Sequence, residues 1–280
     1  MRSARLLALV YAGLTALVGI PLFVGSEHTD VYFAWTIKPP LTAAALGAAY
    51  WAALVMNLIA SWARTWAEVR VVLGAGLVFT TAMLAATLLH LDRFHLGAGG
   101  AVARGVAWAW LVIYVLVPVA TLAVVLARPS ERPPAETPMP RPLRATLAVQ
   151  AAVLLGLGVF VFARPQSAVW PWTLTPLTGR AIAAWLLGVG TAALLMARED
   201  DLARCRAPLI TYGLLPVLEV AALSRFNGSV AWDGPAVWLF LVFLASMFAV
   251  GLVGAVVGWR SAGRAISPGA AAPGHPQPRG

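Results

Sequence analysis

The sequence predicts an all-α membrane protein with eight transmembrane helices, arranged as two parallel four-helix repeats. Three observations predict it. Of 280 residues, 60% are hydrophobic and only 11% are charged, whereas a soluble domain carries roughly 25% charged residues. The apolar residues fall in long runs with many Trp and Gly, as in helical membrane spans, and the alternating strands of a membrane barrel are absent. The segment Trp35-Thr36-Ile37-Lys38-Pro39 recurs as Trp172-Thr173-Leu174-Thr175-Pro176, and the same offset aligns Gly19 with Gly156, Phe23 with Phe160 and Val24 with Val161.

The first span covers residues 6–24, behind Arg2 and Arg5. Its apolar run of about 19 residues exceeds the 7–15 of a signal-peptide core. It also aligns with the internal segment 147–161, so it reads as a retained helix. A polar interlude with Glu27, His28, Asp30 and Lys38 leads to Pro39 and Pro40, residues suited to a helix start because their missing N–H costs nothing there. The second span, 41–62, opens on the small residues Ala43, Ala44, Gly47 and Ala48, which let helix backbones approach closely. A short basic loop with Arg64, Glu68 and Arg70 precedes the third span, 71–91. The glycine-rich turn 97–100 precedes the fourth, 105–127.

The proline-dense stretch 128–144 cannot continue a helix and reads as an extended linker. It separates a first repeat, 1–127, from a second, 145–260. The second repeat holds spans at 145–163, 180–197, 207–223 and 235–259. A charged turn with Glu199, Asp200 and Asp201 lies between its second and third spans and reads as a solvated loop. Gly251, Gly254 and Gly258 form a close-packing seam on the last span. The tail 261–280 is too poor in large apolar residues to fold.

Charge distribution sets an orientation. With the N-terminus inside, the inner segments carry Arg at 2, 5, 64, 70, 128, 132, 141, 144, 198, 204, 206, 260, 264 and 279. The outer segments carry only Lys38 and Arg at 93, 104, 164, 180 and 225. That bias places both termini and the linker in the cytoplasm of a bacterial cell, with the chain in its inner membrane. An even number of spans per unit inserts both copies the same way up, related by an axis along the membrane normal. The net charge of +9 flanks the apolar runs, so the partner it implies is the lipid bilayer and not nucleic acid. The single Cys205 makes neither an internal disulfide nor a metal site. Trp35, Trp62, Trp66, Trp170, Trp172, Trp232 and Trp259 lie near span ends, where an interfacial aromatic belt is the plain account. For Trp35, Thr36, Pro39 and Trp172, Thr173, Pro176, the fixed offsets also suit loops lining an outer vestibule.

Glu219 is the only carboxylate well inside a span, three residues after Pro216. Such a group is paired, protonated or facing water. It is a candidate for binding a proton or substrate, with Tyr212, Asn57 or Gln150 as its partner; hydrogen bonding between helices is the structural alternative. His90, Asp92 and His95 are candidate metal ligands. However, helical positions five apart point about 140° from each other, so only a turn after Asp92 would gather them, and a helix-end cap explains them more simply. No nucleophile elbow, phosphate loop, dinucleotide fingerprint or zinc-protease motif is present, and the sequence assigns no cofactor.

The segments Phe33-Ala34-Trp35-Thr36-Ile37-Lys38-Pro39-Pro40-Leu41-Thr42-Ala43 and Thr87-Leu88-Leu89-His90-Leu91-Asp92-Arg93-Phe94 resemble patterns in bacterial multi-pass membrane proteins of high-GC composition. That resemblance implies a polytopic membrane protein and carries no activity, so no site residue transfers from it. Three readings follow from the residues themselves. The first is a transporter or permease for a small molecule or ion. The second is a non-enzymatic scaffold or sensor that forms homo-oligomers through its small-residue faces. The third is a metal- or haem-binding redox protein in which His28, His90 and His95 converge.

Overall fold

A computed structural model describes residues 1–128, 134–167 and 169–265. Among these residues it is all-helical, with eight helices long and apolar enough to cross a membrane. They are α1 (Arg2–Val24), α2 (Pro40–Ser61), α3 (Trp66–Leu88), α4 (Ala101–Leu126), α5 (Arg141–Ala163), α6 (Pro176–Glu199), α7 (Arg206–Arg225) and α8 (Pro235–Ala265). α8 continues to Ala265, past the expected end of its span at Trp259; the tail from 266 onward, residues 129–133 of the linker, and the surroundings of 258–265, Gly258 and Trp259 among them, lie outside the described residues.

Several helices start earlier than hydropathy alone suggests, and their caps explain why. Glu68 turns back on Thr65, accepting from its backbone N–H at 3.1 Å and its hydroxyl at 2.7 Å, so α3 begins at Trp66. This Thr-x-x-Glu capping box is readable in the sequence. Thr175 caps α6 by accepting from the Thr178 N–H at 3.3 Å, with Pro176 in the first turn. Pro40 likewise opens α2.

α2 is the central helix. In its most apolar stretch 67% of residues are buried, against 28% in α4 and α8, which form the rim. Its buried face is built from Ala43, Ala44, Ala48 and Ala52, small residues that allow close helix approach without bulky side chains. The principal pairings are α1 with α2, α5 with α6, α3 with α6, α2 with α7, α3 with α4 and α7 with α8. Exchanging each helix for the one four places along the chain converts this set of six pairs into itself.

Two close approaches depend on glycine. A Cβ on Gly47 of α2 would run into the backbone of Leu22 and Phe23 at the end of α1, and one on Gly251 of α8 would meet the backbone of Gly213 in α7. Gly251 and Gly254 are buried against α7; the glycine seam on α8 is therefore an internal contact.

Gly47→Val should destabilise the protein by roughly 1–3 kcal/mol, because backbone atoms cannot step aside for the added carbons. Gly13, with open space around it, is the control: Gly13→Val should leave the melting temperature in detergent nearly unchanged. Equal melting temperatures for the two variants would overturn the account of the α1–α2 contact.

Candidate functional site

The two copies of the Trp-Thr motif face each other. Thr36, Ile37, Lys38, Pro39, Thr173, Leu174, Thr175 and Pro176 line one cleft of about 580 Å³ at the end of the molecule opposite the linker, together with Glu27, Asp30 and Gln166. The motif tryptophans do not lie in an interfacial belt, which corrects that expectation. Trp35 and Trp172 are only 3% and 4% exposed. Trp35 packs among Phe33, Phe94 and Trp110, and the Trp172 indole N–H donates to Thr42 Oγ1 at 2.9 Å, joining the second motif to α2. Trp62 and Trp232 do remain exposed.

The histidines at this end serve the loops. His95 uses both ring nitrogens, Nδ1 with the Phe33 carbonyl at 3.0 Å and Nε2 with Thr36 Oγ1 at 3.2 Å, beside the bridge between Trp35 and Phe94. His90 Nε2 accepts from Arg180 at 2.7 Å. Partial burial, and then the Arg180 charge, lower the His90 pKa from its ordinary value, favouring the neutral ring that this bond requires. Asp92 pairs with its neighbour Arg93 in water. His90, Asp92 and His95 are thus not brought together as a ligand set, and among the described residues no group of three or more His, Cys, Asp or Glu is placed to hold a metal ion.

Glu219 lies on α7, six residues from that helix's end at Arg225, or about 9 Å along its axis. Its side chain borders a cavity of about 530 Å³ walled by α2, α5, α6, α7 and α8 and by the loop residues Val169, Trp170 and Pro171. The wall is hydrocarbon and aromatic: Leu46 and Ala49 from α2, Leu154 and Leu157 from α5, Trp185 from α6, Phe240 and Phe243 from α8. No charge and no hydrogen bond from the described residues acts on the carboxyl. The indole N–H groups of Trp170 and Trp185 also find no acceptor.

The expected partners of Glu219 sit elsewhere. Tyr212 and Asn57 line a separate cavity of about 70 Å³, which shares Ala49, Trp185, Val189 and Leu215 with the larger one. The Tyr212 hydroxyl is buried without a hydrogen-bond partner among the described residues. Gln150 donates to Ser246 Oγ at 2.9 Å, tying α5 to α8. Between α2, α3 and α4, aromatic side chains fill the interior, with the Tyr50 and Tyr114 hydroxyls 2.7 Å apart beside Phe79. The Trp110 indole donates to Thr87.

At the linker end, the acidic turn differs from its expected role as a solvated loop: Glu199 and Asp201 are buried. Glu199 sits between Arg70 of α3 and Arg204, with Arg70 Nε at 2.6 Å and Arg204 Nη1 at 3.3 Å. Asp201 accepts from the N–H of Glu136 at 2.8 Å, of Thr137 at 3.2 Å and of Arg204 at 3.1 Å, and from the Thr137 hydroxyl at 2.9 Å. Burial pushes the Asp201 pKa up, but these donors outweigh it and hold the carboxyl below its usual value. The linker is thereby stapled to the α6–α7 turn. The turn's left-handed Asp200 lets α6 stop there, and Arg144 holds its side chain at 2.6 Å. Hydropathy patterning carries no signal for this, because the partners are dispersed along the chain.

No family model, curated protein or solved structure matches the chain. The site therefore stands on its own geometry.

Glu199→Gln takes a buried carboxylate from between two guanidinium groups and should cost about 3–5 kcal/mol. Arg198→Gln, at an exposed position next to it, should stay within about 0.5 kcal/mol. Thermal unfolding in detergent separates them, and equal melting points would contradict the buried pairing. The pH dependence follows from Asp201. A carboxyl held below its ordinary pKa contributes stability that is complete above that ordinary value and is lost as pH falls through the lowered one. The melting temperature should fall as pH drops below about 4, and Asp201→Asn should flatten that fall; an unchanged slope would refute the role given to Asp201.

Proposed function

We propose that the chain is a transporter or permease for a small molecule or ion, in which Glu219 binds substrate or proton. The observation that carries this reading is the unpaired Glu219 carboxyl at the edge of a cavity shared between helix α2 and helices α5–α8. Polar groups inside a bilayer are costly and mark pathways more often than packing. A carboxyl with lipid alone beside it would not support transport; one facing a cavity between two sets of helices does.

The architecture we infer is two copies of a four-helix unit, inserted in parallel and related by an axis along the membrane normal. The recurring Trp-Thr segments support it, as does the set of helix pairings that maps onto itself under exchange of the halves. In this arrangement the inner ring of α2, α3, α6 and α7 forms the seam, and the cleft between the motifs is an outer vestibule. The excess of arginine at the linker end favours placing that end and both termini in the cytoplasm of a bacterial inner membrane. The scaffold reading loses the free glycine ridge it relied on, since Gly251 and Gly254 pack on α7.

Proton or ion flux in reconstituted vesicles tests the proposal. Wild-type protein should carry flux above empty vesicles, and Glu219→Gln, close in shape but without charge, should reduce it at least tenfold. Flux in the variant equal to that of the wild type, or none in either, defeats the transport reading.

A further inference from the structure

We infer that the Glu219 cavity binds a lipophilic organic cation, an apolar or aromatic body carrying one delocalised or substituted positive charge, that enters sideways from the bilayer. This rests on the reading above only for the site, since it names the ligand class the cavity takes.

The volume comes first. About 530 Å³ lies within the roughly 300–1,000 Å³ of ordinary small-molecule sites, too large for a bare ion and suited to a compact organic molecule. The wall is almost wholly apolar, so the body of the ligand must be apolar as well. Metal ions and hydrated ions would leave their oxygen requirements unmet against leucine, valine and tryptophan.

The charge comes second. Glu219 is 9% exposed, and no arginine or lysine of the described residues acts on it. An ionised carboxylate in such surroundings is expensive unless a positive group compensates it. A ligand cation supplies that group; without one the carboxyl keeps its proton, and a neutral ligand then gains at most a hydrogen bond. The neighbouring rings add a second attraction for the same ligand. Trp170 stands against Phe240 with centroids 5.4 Å apart, and Trp185 also lines the cavity. Aromatic faces attract cations most strongly where water is excluded.

The route comes third. Val153 of α5 and Leu239 and Val242 of α8 rim the cavity and are 48%, 70% and 67% exposed on the flank of the bundle, where a bilayer supplies hydrocarbon. Towards the motif cleft the cavity is roofed by Trp170 and Pro171, and the Pro171 carbonyl is held by the Ala231 N–H at 3.0 Å. These exposed lining residues give the cavity one flank that faces the bilayer.

Equilibrium binding of radiolabelled tetraphenylphosphonium to the full chain in zwitterionic lipid nanodiscs tests the inference. We expect saturable binding, displaced by excess unlabelled cation and at least tenfold less well by uncharged triphenylphosphine oxide. Glu219→Gln should weaken binding at least tenfold. Val153→Trp, which plugs the mouth from a lipid-facing position with the carboxyl intact, should do the same. Monodisperse elution of both variants excludes misfolding as the cause. Absence of saturable binding to wild type, unchanged affinity in Glu219→Gln, or equal displacement by the neutral compound would each overturn the assignment. Because no gradient is applied, binding without flux removes the transport reading alone, and flux without binding removes this one alone.

Discussion

The contacts of α3 with α6 and of α2 with α7 hold the molecule together as one body. Within a bilayer the hydrophobic effect does not drive helices against each other, because lipid tails are as apolar as leucine. Association rests on close packing and on the few polar links available. α2 meets this demand with alanine: a row of small side chains brings its backbone against α1 on one side and α7 on the other. Polar links reinforce the packing at both ends as well as within the spans. Glu199 gathers Arg70 and Arg204 at one end, and Trp172 reaches Thr42 at the other.

This division explains where a cavity can survive. The first half fills its interior with Tyr50, Phe79, Trp110 and Tyr114, whose rings touch one another and whose hydroxyls pair. Around Glu219 the side chains meet less completely, since α5 and α8 touch only lightly and are joined by the Gln150–Ser246 bond. The space left between them is large and holds one carboxyl that no charge among the described residues neutralises. The difference between these two interiors follows from side-chain volume.

The spans were legible in the sequence because twenty apolar residues in a row admit few other structures, and Glu219 was legible because an acid among them is conspicuous. Hydropathy alone starts α3 at Val71, whereas the Thr65–Glu68 cap, equally present in the sequence, starts it at Trp66. Partners were less legible. Tyr212 lies seven positions from Glu219 and so on nearly the same helix face, yet two turns apart, and the structure gives it a different cavity. The turn at Glu199 and Asp201 looked like an acidic loop in water because charge alone cannot reveal burial. Its partners come from α3, the linker and Arg204, a combination that only tertiary structure assembles. Trp35 and Trp172 looked like belt residues because span ends are where belts form, and the loops above them folded inward instead.

The cavity mouth framed by Val153, Leu239 and Val242 has a consequence for how occupancy is reckoned. A compartment that communicates with acyl chains samples solute by its mole fraction in the leaflet, not by its molarity in the surrounding water. An apparent dissociation constant referred to the free aqueous solute would then track its partition coefficient, and one referred to total solute would track the amount of lipid as well. Two compounds with identical affinity for the carboxyl would differ in potency in proportion to how strongly each dissolves in the membrane.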